Sequence, residues 1–211
     1  MSKVDWRQTI DGFLTSIPNH VGMGGFEGLI VTLLEEATGQ CFRLSASGPQ
    51  QGQDASSEPC FGNRVKVEVK HYGKSRLRLR FDLLPGLVEA TESDDVDLWV
   101  LAASCAVSKG IERSLRRQAG KSGVEVFILD LGNDGLPRLS VLMAAYPGIV
   151  ESWTKLHHHS GGLRSVLAAL RLWIRLSEPR SIALYAFDKA SVAFSVDDMT
   201  TNRSTGHERL C

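Results

Sequence analysis

Residues 97–131 read DLWVLAASCAVSKGIERSLRRQAGKSGVEVFILDL, and they contain the pattern that decides the fold. Asp97 to Ala103 and Val124 to Leu131 are two nearly continuous apolar runs. Between them, Ser108 to Ala119 has the spacing of a charged amphipathic helix that ends near Gly120. Apolar strands joined by a helix of about a dozen residues form a buried parallel pair with a right-handed crossover. The stretch therefore predicts an α/β fold.

Upstream of this stretch, the sequence predicts a helix, a loop, a strand and a short helical segment. Ser45 to Ser57 is rich in turn-forming and polar residues and predicts the loop, whereas Arg64 to Tyr72 alternates in steps of two and predicts the strand. Leu83 to Ala90 predicts a helical turn or two whose start Pro85 limits. The first helix ends at Gly39 and has apolar residues at three- and four-residue steps: Phe26, Leu29, Ile30, Leu33, Leu34 and Ala37.

Downstream of Pro137, the pattern changes to helix-like segments. The clearest of them is Leu163 to Leu176, whose apolar stripe must be buried on its own domain, on another subunit or on another domain. We expect a principal domain at 1–148, a helical extension or connector at 149–196 that serves assembly, and a loose polar tail at 197–211. Because the tail does not look like the end of a packed domain, we expect the chain to be part of a longer protein.

The composition is that of a soluble globular protein. In 211 residues, 43% are hydrophobic and 23% are charged, which argues against disordered and fibrous classes. Lys plus Arg equals Asp plus Glu at 24 each, so net charge does not indicate a polyanionic partner.

The cysteines and the apolar runs bear on the compartment of the protein. The four cysteines form no CxxC pair, so we expect neither a zinc site nor a disulfide framework: Cys41, Cys60, Cys105 and Cys211. The N-terminal residues lack the apolar segment of a signal peptide, and no run reaches the roughly 18 apolar residues of a membrane span. We therefore expect a cytoplasmic protein without a membrane partner.

The Glu68-Val69-Lys70 triplet is the strongest chemical signal. Side chains two apart on a strand share a face, so Glu68 and Lys70 should lie together, opposite the valines. A carboxylate beside an ammonium can bind a divalent cation while the lysine orients a water or steadies a phosphate, and the Val69 carbonyl is a neighbouring oxygen. The alternative is an amphipathic strand whose charges face solvent.

Two further carboxylates are candidates for the same site. Asp54 lies fourteen positions before Glu68 and would reach the same strand end through a hairpin, although it is also typical of an ordinary turn aspartate. Glu27 falls at the border of the apolar stripe of the first helix; its alternative role is a favourable interaction with the helix dipole.

Basic residues flank the proposed site and also follow one helix. They are Lys66, Lys74, Arg76, Arg78 and Arg80 beside the strand, and Arg113, Arg116, Arg117 and Lys121 near the helix that begins after Ser108. Such groups contact phosphates in nucleic-acid-binding proteins, and they also occur on ordinary solvated surfaces.

The order of these segments resembles the Mrr-type branch of the PD-(D/E)XK nuclease superfamily over residues 22–132. The segments are GFEGLIVTLLEEATG, GQDAS, VEVKHY, DLWVLAAS, a charged helix and VEVFILDL. The resemblance implies a restriction-endonuclease-like αβββαβ core, here with a C-terminal helical extension. It also implies that Glu27 is the acidic residue of the first helix, Asp54 the aspartate that begins the second strand, and Glu68 and Lys70 the E-x-K of the third. The sequence keeps only the second glycine of the GG-x-D pattern, so Glu58 is the substitute candidate for Asp54.

The function that the resemblance implies is a metal-dependent endonuclease. Asp54, Glu68, the Val69 carbonyl and Glu27 would hold Mg²⁺, with Mn²⁺ as a substitute, and Lys70 would assist the attacking water. The expected substrate is double-stranded DNA. The expected setting is a bacterial anti-phage defence protein, as a homo-oligomer or joined to a sensor or NTPase domain. The rival interpretation is a non-catalytic nucleic-acid-binding or assembly module with the same fold.

Overall fold

The computed structural model describes most of the first 176 residues of the chain. The described ranges are 6–18, 22–44, 55–57, 64–72, 77, 82–93, 96–132, 137–156 and 162–176. Asp54, Glu58, the basic residues from Lys74 to Arg76 and Arg78 to Arg80, and the tail lie outside these ranges.

A mixed sheet forms the centre of the described structure. Its strands lie in the order β1-β2-β3-β4-β5, with antiparallel pairing from β1 to β3 and parallel pairing from β3 to β5. Their bounds are β1 Phe42–Leu44, β2 Ala55–Ser57, β3 Val65–Lys70, β4 Leu98–Ala103 and β5 Glu125–Leu129. The prediction that β3, β4 and β5 belong to one sheet is confirmed, and so is the α/β class.

Seven α-helices surround this sheet in the described ranges. Their bounds are α1 Trp6–Ser16, α2 Phe26–Thr38, α3 Leu84–Glu92, α4 Lys109–Ala119, α5 Arg138–Ala145, α6 Pro147–Leu156 and α7 Leu163–Leu176. The predicted helix boundaries near Ser108 and Gly39 are confirmed. The Ser108 hydroxyl caps α4 by accepting the Ile111 N–H, and Gly39 ends α2 in the left-handed conformation at φ 69°.

The helices divide between the two faces of the sheet. One face, with Val65, Val67 and Val69 of β3, belongs to a large apolar cluster to which α1, α2, α5, α6 and α7 contribute. The other face, with Trp99 and Leu101 of β4, packs on residues of α3 and α4. The predicted packing of α2 against the sheet is confirmed through its buried residues Phe26, Ile30 and Leu33. Burial on both faces explains why β4 reads as a continuous apolar run.

The apolar stripe of α7 is buried within the chain. Leu163, Val166, Leu167 and Leu170 are all buried in the same cluster as the sheet. Helix α7 contacts α5, α1 and α6. Of the three surfaces that the sequence left open for this stripe, the structure uses its own domain.

The residue patterns alone did not predict helix α1 or the short strands β1 and β2, although the resemblance implies two strands before β3. Helix α1 precedes the predicted elements, and its buried residues Ile10, Phe13 and Leu14 have helical spacing. Strand β1 has only three residues. The loop predicted from Ser45 to Ser57 is wrong at its end, because Ala55–Ser57 is strand β2. Pairing of all three residues with β1, and of Ala55 and Ser56 with β3, outweighs their weak local preference for a strand.

The expectation that the cysteines form no disulfide is wrong. Cys41 is disulfide-bonded, and its partner lies outside the described residues because Cys105 is a free cysteine. Residues distant in sequence can be brought together by folding, so spacing alone did not reveal this bond. A disulfide is not what a reducing cytoplasm favours.

Candidate functional site

Strand β3 places its alternating charges on the face that α3 and α4 cover. Val65, Val67 and Val69 point to the opposite face, as the period of two requires. The predicted common face of Glu68 and Lys70 is confirmed by their contact: Lys70 Nζ lies 2.5 Å from Glu68 Oε1. The expectation of a solvated strand face does not describe Glu68, whose side chain is 1% exposed.

In the Glu68–Lys70 pair, one side chain is buried and the other reaches the surface. The Lys70 side chain keeps 20% of its exposure, whereas the Glu68 carboxylate is enclosed. In the parallel register, Glu68 lies beside Leu101 and Lys70 lies beside the small Ala103. The carboxylate is therefore buried, so removing its charge partner would be costly, and a nearby cation interacts strongly with it.

Hydrogen bonds from the backbone and the hydroxyl of Ser104 fix the end of β3 that carries Lys70. The Ser104 N–H donates to the Lys70 carbonyl at 3.0 Å. The Ser104 hydroxyl accepts from the Tyr72 N–H at 3.0 Å and donates to the Tyr72 carbonyl at 3.1 Å. Ser104 is nearly fully buried, so these bonds hold the carboxyl ends of β3 and β4 together beside the pair.

A second charged pair, Lys66 and Glu89, lies further back on the same face, and sequence reasoning named Lys66 but missed Glu89. Lys66 Nζ donates to Ser93 Oγ at 2.9 Å and lies 4.0 Å from Glu89 Oε1 of α3. Burial lowers the pKa of Lys66, Glu89 opposes that shift, and Arg64 adds to it. Glu89 is 21 positions after Glu68 and belongs to another element, so only the packing of α3 on β3 brings it to this face.

Glu27 stands at the start of α2, on the other side of the sheet. Its Oε2 atom accepts the Gly22 N–H at 2.8 Å, which ties the turn before α2 to the helix. Next to it, the Phe26 ring stacks on His71, just beyond β3, with ring centroids 4.8 Å apart. The helix start is therefore close to the carboxyl end of β3, although α2 covers the face opposite to Glu68.

The remaining predicted ligands are placed as follows. Val69 lies between Glu68 and Lys70 in β3, and Asp54 and Glu58 lie outside the described residues. Within the ranges that the structure covers, no three His, Cys, Asp or Glu side chains are grouped in a way that would hold a metal ion. Of the predicted site residues, the structure brings Glu68 and Lys70 into direct contact.

Asp130, at the carboxyl end of β5, holds the segment before α4 in place. Its Oδ2 atom accepts the Val107 N–H at 2.7 Å, which anchors the segment that leads into α4. Burial raises the pKa of Asp130, although N–H groups of Val107 and Gly132 and the charge of Arg138 oppose the shift. Burial, and then the nearby Asp130 carboxylate, also raise the pKa of the Cys105 thiol. A thiol held in this way is a poor nucleophile.

Comparison with protein-family models and with curated proteins finds no match to this chain. Among the described helices, none combines the length and the apolar character needed to cross a membrane.

Proposed function

We propose that this chain is a metal-dependent endonuclease of the PD-(D/E)XK type that hydrolyses phosphodiester bonds of double-stranded DNA. The observation that carries the proposal is the contact between Glu68 and Lys70 on a strand inside the sheet. A carboxylate and an ammonium two positions apart, one enclosed and the other reaching the surface, are the groups that E-x-K chemistry needs. The proposal includes a role as an effector in bacterial anti-phage defence, in a homo-oligomer or beside a sensor or NTPase domain.

The element order supports this proposal. Helix α2 is followed by β1, β2 and β3 in an antiparallel meander, then by α3 and by β4 parallel to β3. This order is the αβββαβ order that the resemblance implies. Helix α4 and strand β5 extend the sheet by one more parallel strand.

The proposed site takes its second carboxylate from Asp54. This residue lies outside the described residues; the next residue, Ala55, pairs with Val67 in the β2–β3 ladder.

The donor set fits a hard cation. Carboxylate and carbonyl oxygens are the ligands that Mg²⁺ prefers, and Mn²⁺ accepts the same donors. Glu68 and Asp54 would hold the ion, with the Val69 carbonyl as a neighbouring oxygen and Glu27 as a supporting carboxylate. When bound, the ion would lower the pKa of a water and neutralise charge on the phosphate.

The protein residues then have distinct tasks in hydrolysis. Glu68 keeps its position because its side chain is buried on the strand, so it supplies a fixed negative charge. The Lys70 ammonium donates hydrogen bonds to the attacking water and to a phosphate oxygen. Water adds to phosphorus, the bond from phosphorus to one sugar oxygen breaks, and that oxygen takes up a proton.

A plasmid cleavage assay tests this proposal. Wild-type protein with Mg²⁺ should convert supercoiled plasmid to open and linear forms, and chelation of the metal should stop the conversion. Lys70→Met should lower the rate at least about 100-fold, as expected for a group that stabilises transition-state charge. Lys155→Met, at an exposed position on α6, is the matched control and should leave the rate unchanged.

The same assay separates the rival interpretation. A folded wild-type protein that binds DNA but does not cleave it with Mg²⁺ or Mn²⁺ would overturn the nuclease proposal. That result would favour a non-catalytic nucleic-acid-binding module, in which Glu68 and Lys70 form only a structural ion pair.

A further inference from the structure

Four basic residues follow one line along α4 and the turn after it. Lys109, Arg113 and Arg117 are spaced four residues apart on the helix, and Lys121 continues the spacing in the 3-10 turn Gly120–Ser122. Each step of four residues turns by only about 40° beyond a full circle and rises about 6 Å, so the three helical residues share one side. All four residues are exposed. We call this set the α4 basic stripe.

The one carboxylate of this segment does not pair with Arg113 or Arg117 of the stripe. Glu112 is the one carboxylate between residues 108 and 123. It accepts from Arg116 at 3.0 Å and lies 4.0 Å from Arg138. Arg116 is itself turned toward the sheet, because its Nη1 donates to the Val126 carbonyl at 2.7 Å. Within the described residues, Arg113 and Arg117 have no carboxylate partner.

Stability of the helix does not account for the stripe. Positive charge near the carboxyl end favourably complements the helix dipole, which explains Arg117 and Lys121. The Arg113–Arg117 spacing, however, places like charges four residues apart, which destabilises a helix.

The surface around the stripe fits a phosphate backbone better than a protein. Every exposed residue between 108 and 123 is Lys, Arg, Gly or Ser. A protein interface would be expected to include apolar or aromatic residues at its centre. Small residues between the cations instead allow a polyanion to approach the helix closely.

The helix that carries the stripe is held firmly. Leu115 and Ala119 are fully buried against the sheet, and the Ser108 cap and the Arg116 bond fix its position. Helix α4 begins after β4, so Lys109 lies toward the strand edge at which β3 ends with Lys70. A preorganised row of cations loses little freedom when it binds.

We propose that the α4 basic stripe binds the sugar-phosphate backbone of double-stranded DNA. This inference rests on the proposed function and assigns a DNA-contacting surface to it. Each phosphate neutralised by the stripe would contribute about −0.9 to the slope of log affinity against log salt concentration. Binding through the stripe should therefore be strongly salt-dependent and insensitive to base sequence.

The test measures binding of a labelled DNA duplex to the full chain by fluorescence anisotropy, at salt concentrations from about 50 to 200 mM. All proteins carry Glu68→Gln and the buffer contains a chelator, so that the duplex is not cleaved during the measurement. Arg113→Gln/Arg117→Gln should reduce the magnitude of the slope by about two. Arg164→Gln/Arg171→Gln removes the same charge from exposed positions of α7 and should leave the slope unchanged. Lys121 lies in the turn after the helix, so Lys121→Gln leaves α4 itself unchanged. This variant should reduce the magnitude of the slope by about one, and it tests the stripe even if the double variant fails to fold.

The outcomes distinguish the two proposals. Stripe-dependent binding by a protein that never cleaves would support the stripe and overturn the nuclease. Metal-dependent cleavage with equal slopes for the α4 and α7 variants would support the nuclease and overturn the stripe. Absence of duplex binding by the background protein at the lowest salt concentration would also overturn the stripe.

Discussion

Lys70 Nζ lies 2.5 Å from Glu68 Oε1, and this contact joins an enclosed carboxylate to a side chain that reaches the surface. The β-strand period places both side chains on one face, and the parallel neighbour β4 lines that face with apolar residues. The pair therefore has two expected roles. It stabilises the folded state, and its two groups suit the proposed hydrolysis of phosphodiester bonds. The two roles have separate experimental consequences.

The first prediction concerns the stability of the pair. Lys70→Met should lower the free energy of unfolding by about 3 kcal/mol, because it leaves the Glu68 charge buried without its ammonium. Glu68→Leu/Lys70→Met should recover most of that loss, since both charges are removed. Urea unfolding at neutral pH measures both changes. Equal stability of the single and double variants would contradict this account.

The second prediction concerns the bond that holds the ends of β3 and β4. Ser104→Ala should cost about 1 to 3 kcal/mol of unfolding free energy, because the partly buried Tyr72 N–H loses its acceptor, the buried Ser104 hydroxyl. Urea unfolding measures the loss. Ser122→Ala, at an exposed position in the 3-10 turn, is the control and should stay within about 0.5 kcal/mol of wild type. A Ser104 variant as stable as this control would refute the proposed bond.

The third prediction concerns α7. Leu167→Ala should cost about 2 to 5 kcal/mol, because it creates a cavity in the large apolar cluster. Leu172→Ala is the matched control, since Leu172 is 60% exposed and its loss should change little. Urea unfolding gives the energies, and light scattering should show that neither variant changes the mass. A drop in mass with unchanged unfolding energy would instead assign Leu167 to a subunit interface.

The fourth prediction concerns pH. The folded pKa of Asp130 is raised mainly by burial, so the folded state binds the proton more tightly than the unfolded state. The unfolding free energy of the wild type, minus that of Asp130→Asn, should therefore fall as pH rises from about 4, the pKa of Asp130 in the unfolded state. The fall should continue through the raised folded pKa and then level off. Urea unfolding of both proteins at several pH values measures this difference. A difference that grows with rising pH would contradict the assigned direction.

Sequence patterns predicted the elements whose burial follows a simple period. β4 and β5 are apolar on both faces, α4 has a capping Ser108, and β3 alternates, so each pattern corresponds to one structural environment. The residue pattern alone missed β2, which only the resemblance implied, because three residues, ASS, carry little intrinsic preference and become a strand only through pairing. The apolar spacing of Ile10, Phe13 and Leu14 would have predicted α1.

The candidate site was predictable only within one strand. Glu68 and Lys70 share a face by local geometry, so their contact follows from a spacing of two. Glu89 reaches the same face through the packing of α3, and Ser104 reaches Tyr72 through the β3–β4 register. Such contacts depend on tertiary structure, for which the sequence has no local signal.

The measurement that tests the central claim most directly is the Mg²⁺-dependent plasmid cleavage rate of Glu68→Gln beside that of Glu36→Gln. Both variants replace one glutamate by its neutral isostere, but Glu36 is exposed on α2 and Glu68 is enclosed beside Lys70. We predict that Glu68→Gln lowers the rate at least about 100-fold while Glu36→Gln retains the wild-type rate. Equal rates for the two folded variants would contradict the assignment of Glu68 to a nuclease site.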